Sequence, residues 1–139
     1  MPDADLAILD SSVYIEIIRT GRFTLDLLRS RWIIRCSVVV LQELRRGART
    51  RDELRFVSEL VRQVQIVTPS ERQWIESAEI VGSMANRKRY GADRIRSLTF
   101  DCLIALSTRG VGATLITANR RDFEAIRAYR PFKVLYWEE

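Results

Sequence analysis

Short apolar runs of strand character alternate with longer segments of helical spacing, and this alternation constrains the fold more than any other feature of the sequence. Leu6-Ala7-Ile8-Leu9 ends at Asp10 and reads as a short buried strand. Asp10-Ser11-Ser12 supplies capping residues for a helix from Val13 to Arg19 that Gly21 stops. Phe23 to Arg29 reads as a further short helix, and Trp32 to Ser37 as a strand. Ser37 can cap a helix running through Leu44 to Arg46, ended by Gly47. Asp52 to Val64 carries Leu54, Val57, Leu60, Val61 and Val64 at helical spacing, and Gln65 to Val67 reads as a strand closed by Thr68-Pro69.

The second half repeats the alternation. Ser70 and Gln73 fit a capping box that opens a long helix, with Trp74, Ala78, Val81 and Ala85 as its expected apolar stripe. Asn86 to Gly91 reads as a basic loop or a frayed helix end. A helix is expected from about Ile95 to Thr108, followed by a turn at Gly110 and Gly112. Ala113 to Thr117 reads as a strand, Asn119 to Arg127 as a helix, and Phe132 to Tyr136 as a last strand. Strands separated by helices predict an α/β domain in three layers, α/β/α, around a mostly parallel sheet of four to five strands with right-handed crossovers. With 139 residues and no linker-like or repetitive tract, a single domain spanning 1–139 is expected.

Composition narrows the chemistry. The sequence has no histidine, which excludes a Ser-His-Asp triad, a Cys-His dyad and any His-containing zinc site. Catalysis must then rest on carboxylates, on Cys, Lys or Tyr, or on a metal with oxygen ligands. Cys36 and Cys102 lie within apolar stretches without metal-ligand spacing, so two buried thiols are expected rather than a disulfide. The acidic start MPDADLAILD does not resemble a basic signal peptide, and no run of about 18 apolar residues occurs, so a cytoplasmic location is expected. The net charge of +5 makes an anionic partner a candidate. All but two of the 23 basic residues are arginine, whose planar fork suits phosphate, although a base composition favouring Arg codons explains the bias equally well.

In open α/β sheets, ligands bind beyond the carboxyl ends of the strands. Asp10 ends the first strand there, and Glu43 lies in the first turns of the helix after the second. Asn119 and Asp122 follow Thr117 at the end of a later strand. Asp101 is different, a lone acid among Phe100, Cys102, Leu103 and Ile104 in a helix that precedes a strand. A buried carboxylate is costly unless it is paired, hydrogen-bonded or metal-bound. Each acid also has a local explanation. Asp10 can cap its helix, and Glu43 can pair with Arg46 or Arg19. Asp101 can pair with Arg94, Arg96 or Arg109. Jointly they point further, because separate segments send carboxylates towards one crevice. Such a group would repel itself without a cation, whereas Mg2+ prefers carboxylate and water ligands and can promote phosphodiester cleavage without histidine.

The segments Ile8-Leu9-Asp10-Ser11-Ser12, Ser37 to Leu44, Phe100 to Ala105 and Leu115 to Phe123 together resemble the PIN domain, and within it the VapC-type toxin ribonucleases of bacterial toxin–antitoxin pairs. The resemblance spans Leu6 to about Val134. It implies a Mg2+- or Mn2+-dependent endoribonuclease acting through metal-activated water. Asp10, Glu43, Asp101 and Asn119 fall on the family's catalytic positions. By the same resemblance Asp10 and Asp101 would be the main metal ligands, with Glu43 holding a metal-bound water or a second metal. Ser12 matches a small polar position that hydrogen-bonds the first acid, and Thr117 a hydroxyl lining the pocket. The fourth position departs from the pattern, because Asn119 stands where Asp is frequent. Asp122 could supply the missing charge, or could cap its helix or pair with Arg120, Arg121 or Arg127.

The resemblance also implies a cognate antitoxin and a homodimer. Arg46, Arg120 and Arg121 are the leading candidates for RNA phosphate contacts, with Arg45, Arg49, Arg87, Lys88 and Arg89 behind them. The alternative for all of these is a solvated helix face. A competing expectation, motivated by Asn119, is an RNA- or protein-binding module with a weakened metal site. A phosphate-accepting receiver domain ranks last, because Asp3 and Asp5 stand at the start of the first strand and not at its end. Trp32, Trp74 and Trp137 are expected in the core, with a partner surface as the other possibility.

Overall fold

The computed structural model describes residues 5–21 and 28–137. Strand β1 (Leu6–Leu9) is apolar and buried, and helix α1 (Ser11–Thr20) follows directly. Gly21 ends α1 with φ of 63°, a left-handed conformation that glycine adopts without Cβ strain, and returns its N–H to Ile17 O at 3.0 Å. Strand β2 (Ile33–Ser37) feeds helix α2 (Val38–Gly47), whose N-terminus is capped by Ser37 Oγ accepting from Val39 N at 3.1 Å. Helix α3 (Arg51–Gln63) leads to β3 (Gln65–Val67). Helices α4 (Glu71–Arg87) and α5 (Ala92–Gly110) form a long pair before β4 (Thr114–Thr117). Helix α6 (Arg120–Arg127) and strand β5 (Lys133–Tyr136) complete the chain.

The strands form one sheet in the order β3-β2-β1-β4-β5, and every neighbouring pair is parallel. This is the expected α/β architecture, at the upper end of the expected strand number. With right-handed crossovers, the reversal of strand order places α1–α3 on one face and α4–α6 on the other. The reversal falls between β1 and β4, where register pairs Leu9 with Ile116. Two adjacent strands whose chains leave in opposite directions open a crevice beyond their carboxyl ends. Asp10 and Thr117 stand at that point.

The core joins strand and helix side chains on both faces of the sheet, including Ile8, Leu9, Val13, Tyr14, Leu103, Ile104, Leu115, Ile116, Phe123 and Ile126, each under 2% exposed. Cys36 and Cys102 are free and buried, as the apolar flanks predict. Among the described residues no helix is long and apolar enough to cross a membrane.

Several elements differ from expectation. The stripe expected on α4 is rotated: Ser77, Ile80, Val81 and Met84 are buried, whereas Trp74 is 48% exposed and Ala78 is exposed. The core face is set by Gln73, Ser77, Ile80 and Met84, at helical spacings of four, three and four. Gln73 Nε2 anchors that face by donating to Leu106 O of α5 at 3.1 Å. Trp74 lies one residue, about 100° of turn, away from it. Trp32 and Trp137 pack partly against the core. Helix α3 starts earlier than expected because Thr50 and Glu53 form a reciprocal capping box, a signal present in the sequence. Helix α5 begins three residues early, and Gly110 is its last residue, leaving Gly112 (φ 70°) to make the turn. The helix expected from Phe23 to Arg29 lies outside the described residues except for Leu28 and Arg29, which are helical.

Candidate active site

Asp10 is set by three backbone and side-chain ties at the switch point. Its N–H donates to Ile116 O at 2.9 Å, continuing the β1–β4 ladder one residue past the strand. Its Oδ2 accepts from Ser12 Oγ and from Thr117 Oγ1, both at 2.9 Å. Asp10 occupies the N-cap position of α1, yet its side chain makes no cap hydrogen bond, so capping is not what the carboxylate does. The two hydroxyls are themselves fixed. Ser12 Oγ accepts from Ala118 N at 3.2 Å, and Thr117 Oγ1 accepts from Asn119 N at 3.0 Å. Asp10 is 4% exposed and Thr117 fully buried. Ser12 and Thr117 thus hold one oxygen of the Asp10 carboxylate from both sides.

Glu43 and Asp101 close on the same place from α2 and α5. Glu43 Oε1 is buried without a hydrogen-bond partner among the described residues. Burial, then the charge of Asp10, push the Glu43 carboxyl up to about 7, against a smaller opposing pull from Arg46. Asp101, 7% exposed, is pushed to about 8 by burial, then by Asp10, Glu43 and Asp122, against a smaller opposing pull from Arg94. The arginines expected as partners of Asp101 make their hydrogen bonds elsewhere. Arg94 binds Asp122, Arg96 binds Asp93, and Arg109 donates to Pro131 O. Among the described residues none donates a hydrogen bond to the Asp101 carboxylate. The fold thus brings Asp10, at the end of β1, near enough to Glu43 of α2 and Asp101 of α5 to oppose the ionisation of both.

Asn119 behaves differently. It is the N-cap of α6: its Oδ1 accepts from Asp122 N at 3.4 Å, and its Nδ2 donates to Asp122 Oδ2 at 3.0 Å. Both ends of the amide are committed to Asp122. Arg94 in α5 grips the same carboxylate, Nη1 donating to Oδ2 at 3.1 Å and Nη2 to Oδ1. Burial would raise the Asp122 carboxyl, but the hydrogen bonds from Arg94 and Asn119 outweigh it and hold it below its ordinary value. Asp122 is thus paired with Arg94. The alternatives at Arg120, Arg121 and Arg127 are not its partners by hydrogen bond, although the charge of Arg121 adds a smaller pull. Arg94 entered the sequence reading only as a possible partner of Asp101. Its bond to Asp122 spans 28 residues and leaves no local sequence signal.

The arginines expected to meet phosphate are exposed. Arg46 lies over the Phe100 ring at 5.9 Å and Arg120 over the Tyr136 ring at 4.0 Å, while Arg121 is exposed beside Asp122. Tyr136 in turn donates to Glu124.

Whether these acids suit a divalent cation can be judged from the donors themselves. Among the described residues no group of three or more Asp, Glu or Cys side chains is arranged to hold a metal ion by itself. Mg2+, however, retains several waters and commonly takes only one or two carboxylates. The donors are oxygen only, Asp10 and Asp101 are buried, Asp10 raises the carboxyls of Glu43 and Asp101, and Glu43 Oε1 is buried without a partner. That set fits a hard cation, with Asp10 and Asp101 as the residues that would hold it and Glu43 beside them.

Comparison with known proteins agrees with this topology. Residues 7–129 match the PIN domain family. The fold is similar to that of a VapBC2 structure from Rickettsia felis bound to a DNA fragment from their promoter (TM-score 0.68, 20% identity, covering 96% of this chain and 99% of that one). It is similar to DNA-bound VapBC from Salmonella typhimurium (TM-score 0.68, 22% identity, 96% and 99% covered). VapBC-5 from Mycobacterium tuberculosis, a member of the VapBC family of toxin-antitoxin systems, gives a TM-score of 0.59 at 22% identity, with 94% and 98% covered. At these identities the likeness establishes the fold. No curated protein matches the chain.

Proposed function

The chain belongs to the PIN domain family, and from that premise we propose that it is a Mg2+-dependent endoribonuclease, the toxin of a type II toxin–antitoxin pair. The observation that carries this reading is the convergence of Asp10, Glu43 and Asp101, without any histidine, where the charge of Asp10 raises the carboxyls of both Glu43 and Asp101. Two buried acids and a half-buried third whose charges oppose ionisation within the group serve no packing purpose, and a cation would relieve them. The toxin part of the reading draws on the VapBC structures that the fold resembles. A cognate antitoxin, a homodimer and a cytoplasmic location belong to the same proposal.

A bound divalent cation would polarise a phosphoryl oxygen and lower the pKa of a water, with Mn2+ able to substitute. Asp10, oriented from two sides by Ser12 and Thr117, and Asp101 would hold it. Glu43 accepts a proton from the attacking water: its Oε1 is unpartnered, and a carboxyl near 7 is matched to proton transfer at neutral pH. Exposed Arg46, Arg120 and Arg121 would bind phosphates flanking the scissile bond. Cleavage of structured RNA in Mg2+, compared with EDTA, tests the reading. Loss of activity in EDTA and in Asp10→Asn and Asp101→Asn is expected, and full activity in any of these would overturn it.

One observation favours a second reading, an RNA- or protein-binding module without nuclease activity. Asn119 contributes no charge, and its amide is taken up by Asp122. Calorimetry with Mn2+ separates the two, since absence of binding at millimolar metal would leave the module.

A further inference from the structure

Helix α4 ends at Arg87 and α5 begins at Ala92, and the link between them builds a cavity outside the carboxylate pocket. Lys88 N still donates to Met84 O at 3.0 Å, and Tyr90 N turns back to Lys88 O at 2.8 Å, which brings the Tyr90 ring against the helices. A cavity of about 180 Å3 results, lined by Met84, Arg87, Lys88, Tyr90, Ala125 and Tyr129. Its floor is the buried Met84, and its walls include the half-buried rings of Tyr90 and Tyr129. Arg87 lies over the Tyr129 ring at 5.9 Å and Arg94 over the Tyr90 ring at 5.6 Å. Arg87 and Lys88 line it and are exposed, as is the adjoining Arg89, and no carboxylate lines it.

We propose that this cavity is a subsite for one unpaired base of an RNA strand, with Tyr90 and Tyr129 contacting the base and Arg87, Lys88 and Arg89 its flanking phosphates. Aromatic walls under a basic rim combine the two interactions by which single-stranded nucleic acid is held, stacking and phosphate neutralisation. A duplex cannot present a base to such a cavity, because its bases are paired and stacked. The cavity is also connected to the carboxylates. Tyr90 stacks with Arg94, Arg94 binds Asp122, Asp122 bonds Asn119, and Asn119 N bonds Thr117 Oγ1, which donates to Asp10. These contacts fix the Tyr90 wall of the cavity relative to Asp10. This subsite rests on the nuclease reading for its substrate class, and it assigns that substrate a single-stranded segment.

The test is binding of a short fluorescein-labelled single-stranded oligouridylate, and of an abasic strand of the same length, to the full chain in EDTA, where no cleavage is expected. Tyr90→Ala and Tyr129→Ala should each weaken the base-bearing strand by at least about fivefold and leave the abasic strand unaffected. Tyr90→Phe and Tyr129→Phe should restore binding, because the ring and not the hydroxyl is used. Ala125→Leu, which fills the cavity from a helix surface, should reproduce the loss without removing any ring. Lys88→Ala should weaken both strands alike and lower the salt dependence by about one charge. Equal losses on the two strands, or retention of binding in Ala125→Leu and both tyrosine variants, would overturn the proposal. So would an acidic peptide that competes for the same tyrosines. If the wild-type protein cleaves RNA while the tyrosine variants bind normally, the subsite fails and the nuclease reading stands. If base-selective binding is lost in the variants of a protein that does not cleave, the nuclease reading fails and the subsite stands.

Discussion

Thr117 Oγ1, at the end of β4, donates to Asp10 Oδ2, at the end of β1, at 2.9 Å and across 107 residues of sequence. The same hydroxyl accepts from Asn119 N at 3.0 Å, so one side chain ties the first acid to the start of α6. Both strands end at the reversal in strand order, and the bond forms only when β1 and β4 are paired.

Thr117→Val keeps the shape and removes the hydroxyl, leaving a buried carboxylate short of a donor and a backbone N–H without its acceptor. Urea denaturation should show a loss of about 1–3 kcal/mol. RNA cleavage in Mg2+ should fall as well, because Asp10 is then oriented by Ser12 alone.

The raised carboxyls make stability depend on pH in a definite direction. Asp101 rises from an ordinary 3.8 to about 8, and Glu43 from 4.5 to about 7. Between those values the unfolded chain ionises these groups while the folded chain retains their protons, so stability falls as pH rises. Metal-free protein should therefore be most stable with respect to these two groups below about pH 4 and lose their contribution progressively up to about pH 8. Thermal melts in EDTA should show Asp101→Asn flattening this slope and raising the melting temperature at pH 8. Mn2+ should raise the wild-type melting temperature at pH 8 and that of Asp101→Asn less.

Arg94 and Asp122 behave in the opposite sense. The Asp122 carboxyl lies below its ordinary value, so its contribution is present above the unfolded pKa and lost as pH falls through the folded one. Arg94→Gln leaves a buried carboxylate with Asn119 as its remaining side-chain donor and should cost about 3 kcal/mol near neutral pH. Denaturation at several pH values should show that cost shrinking in acid. Equal destabilisation at pH 3 and pH 7 would rule out the ion pair as its source.

Asn119→Asp restores the acid frequent at this position in the resemblance, but it replaces an N–H donor 3.0 Å from Asp122 with a like charge. The metal-free variant should lose about 1–2 kcal/mol in denaturation at pH 7. If the new carboxylate turns towards Asp10 and Asp101, Mn2+ should recover that loss and bind more tightly by calorimetry than it does to the wild-type protein.

Much of the architecture was legible because it is written in local patterns. The apolar run Leu6–Leu9 before Asp10, the Ser37 cap and the Ser70–Gln73 capping box each specify an element from neighbouring residues. The Thr50–Glu53 box was equally legible and marks the true start of α3. The apolar stripe of α4 was not, because small and aromatic residues at several helical spacings allow more than one face. The choice was made by the contact of Gln73 with Leu106 on α5. The position of the acids at strand ends and helix starts followed from the alternation of elements. Their mutual approach required the order of the strands.

What the sequence determined by itself was therefore the set of elements, the absence of imidazole chemistry and the residues Asp10, Glu43 and Asp101 as carboxylates worth joining. Tertiary structure alone decided what each of the remaining polar groups does. Asn119 became a cap, Asp122 the partner of Arg94, and Tyr90 and Tyr129 the walls of a cavity. The physical reason is range. Capping and periodicity act over three or four residues and can be read along the chain. Ion pairs, pKa shifts and cavities depend on which distant surfaces the packed sheet and helices bring within a few ångströms of one another.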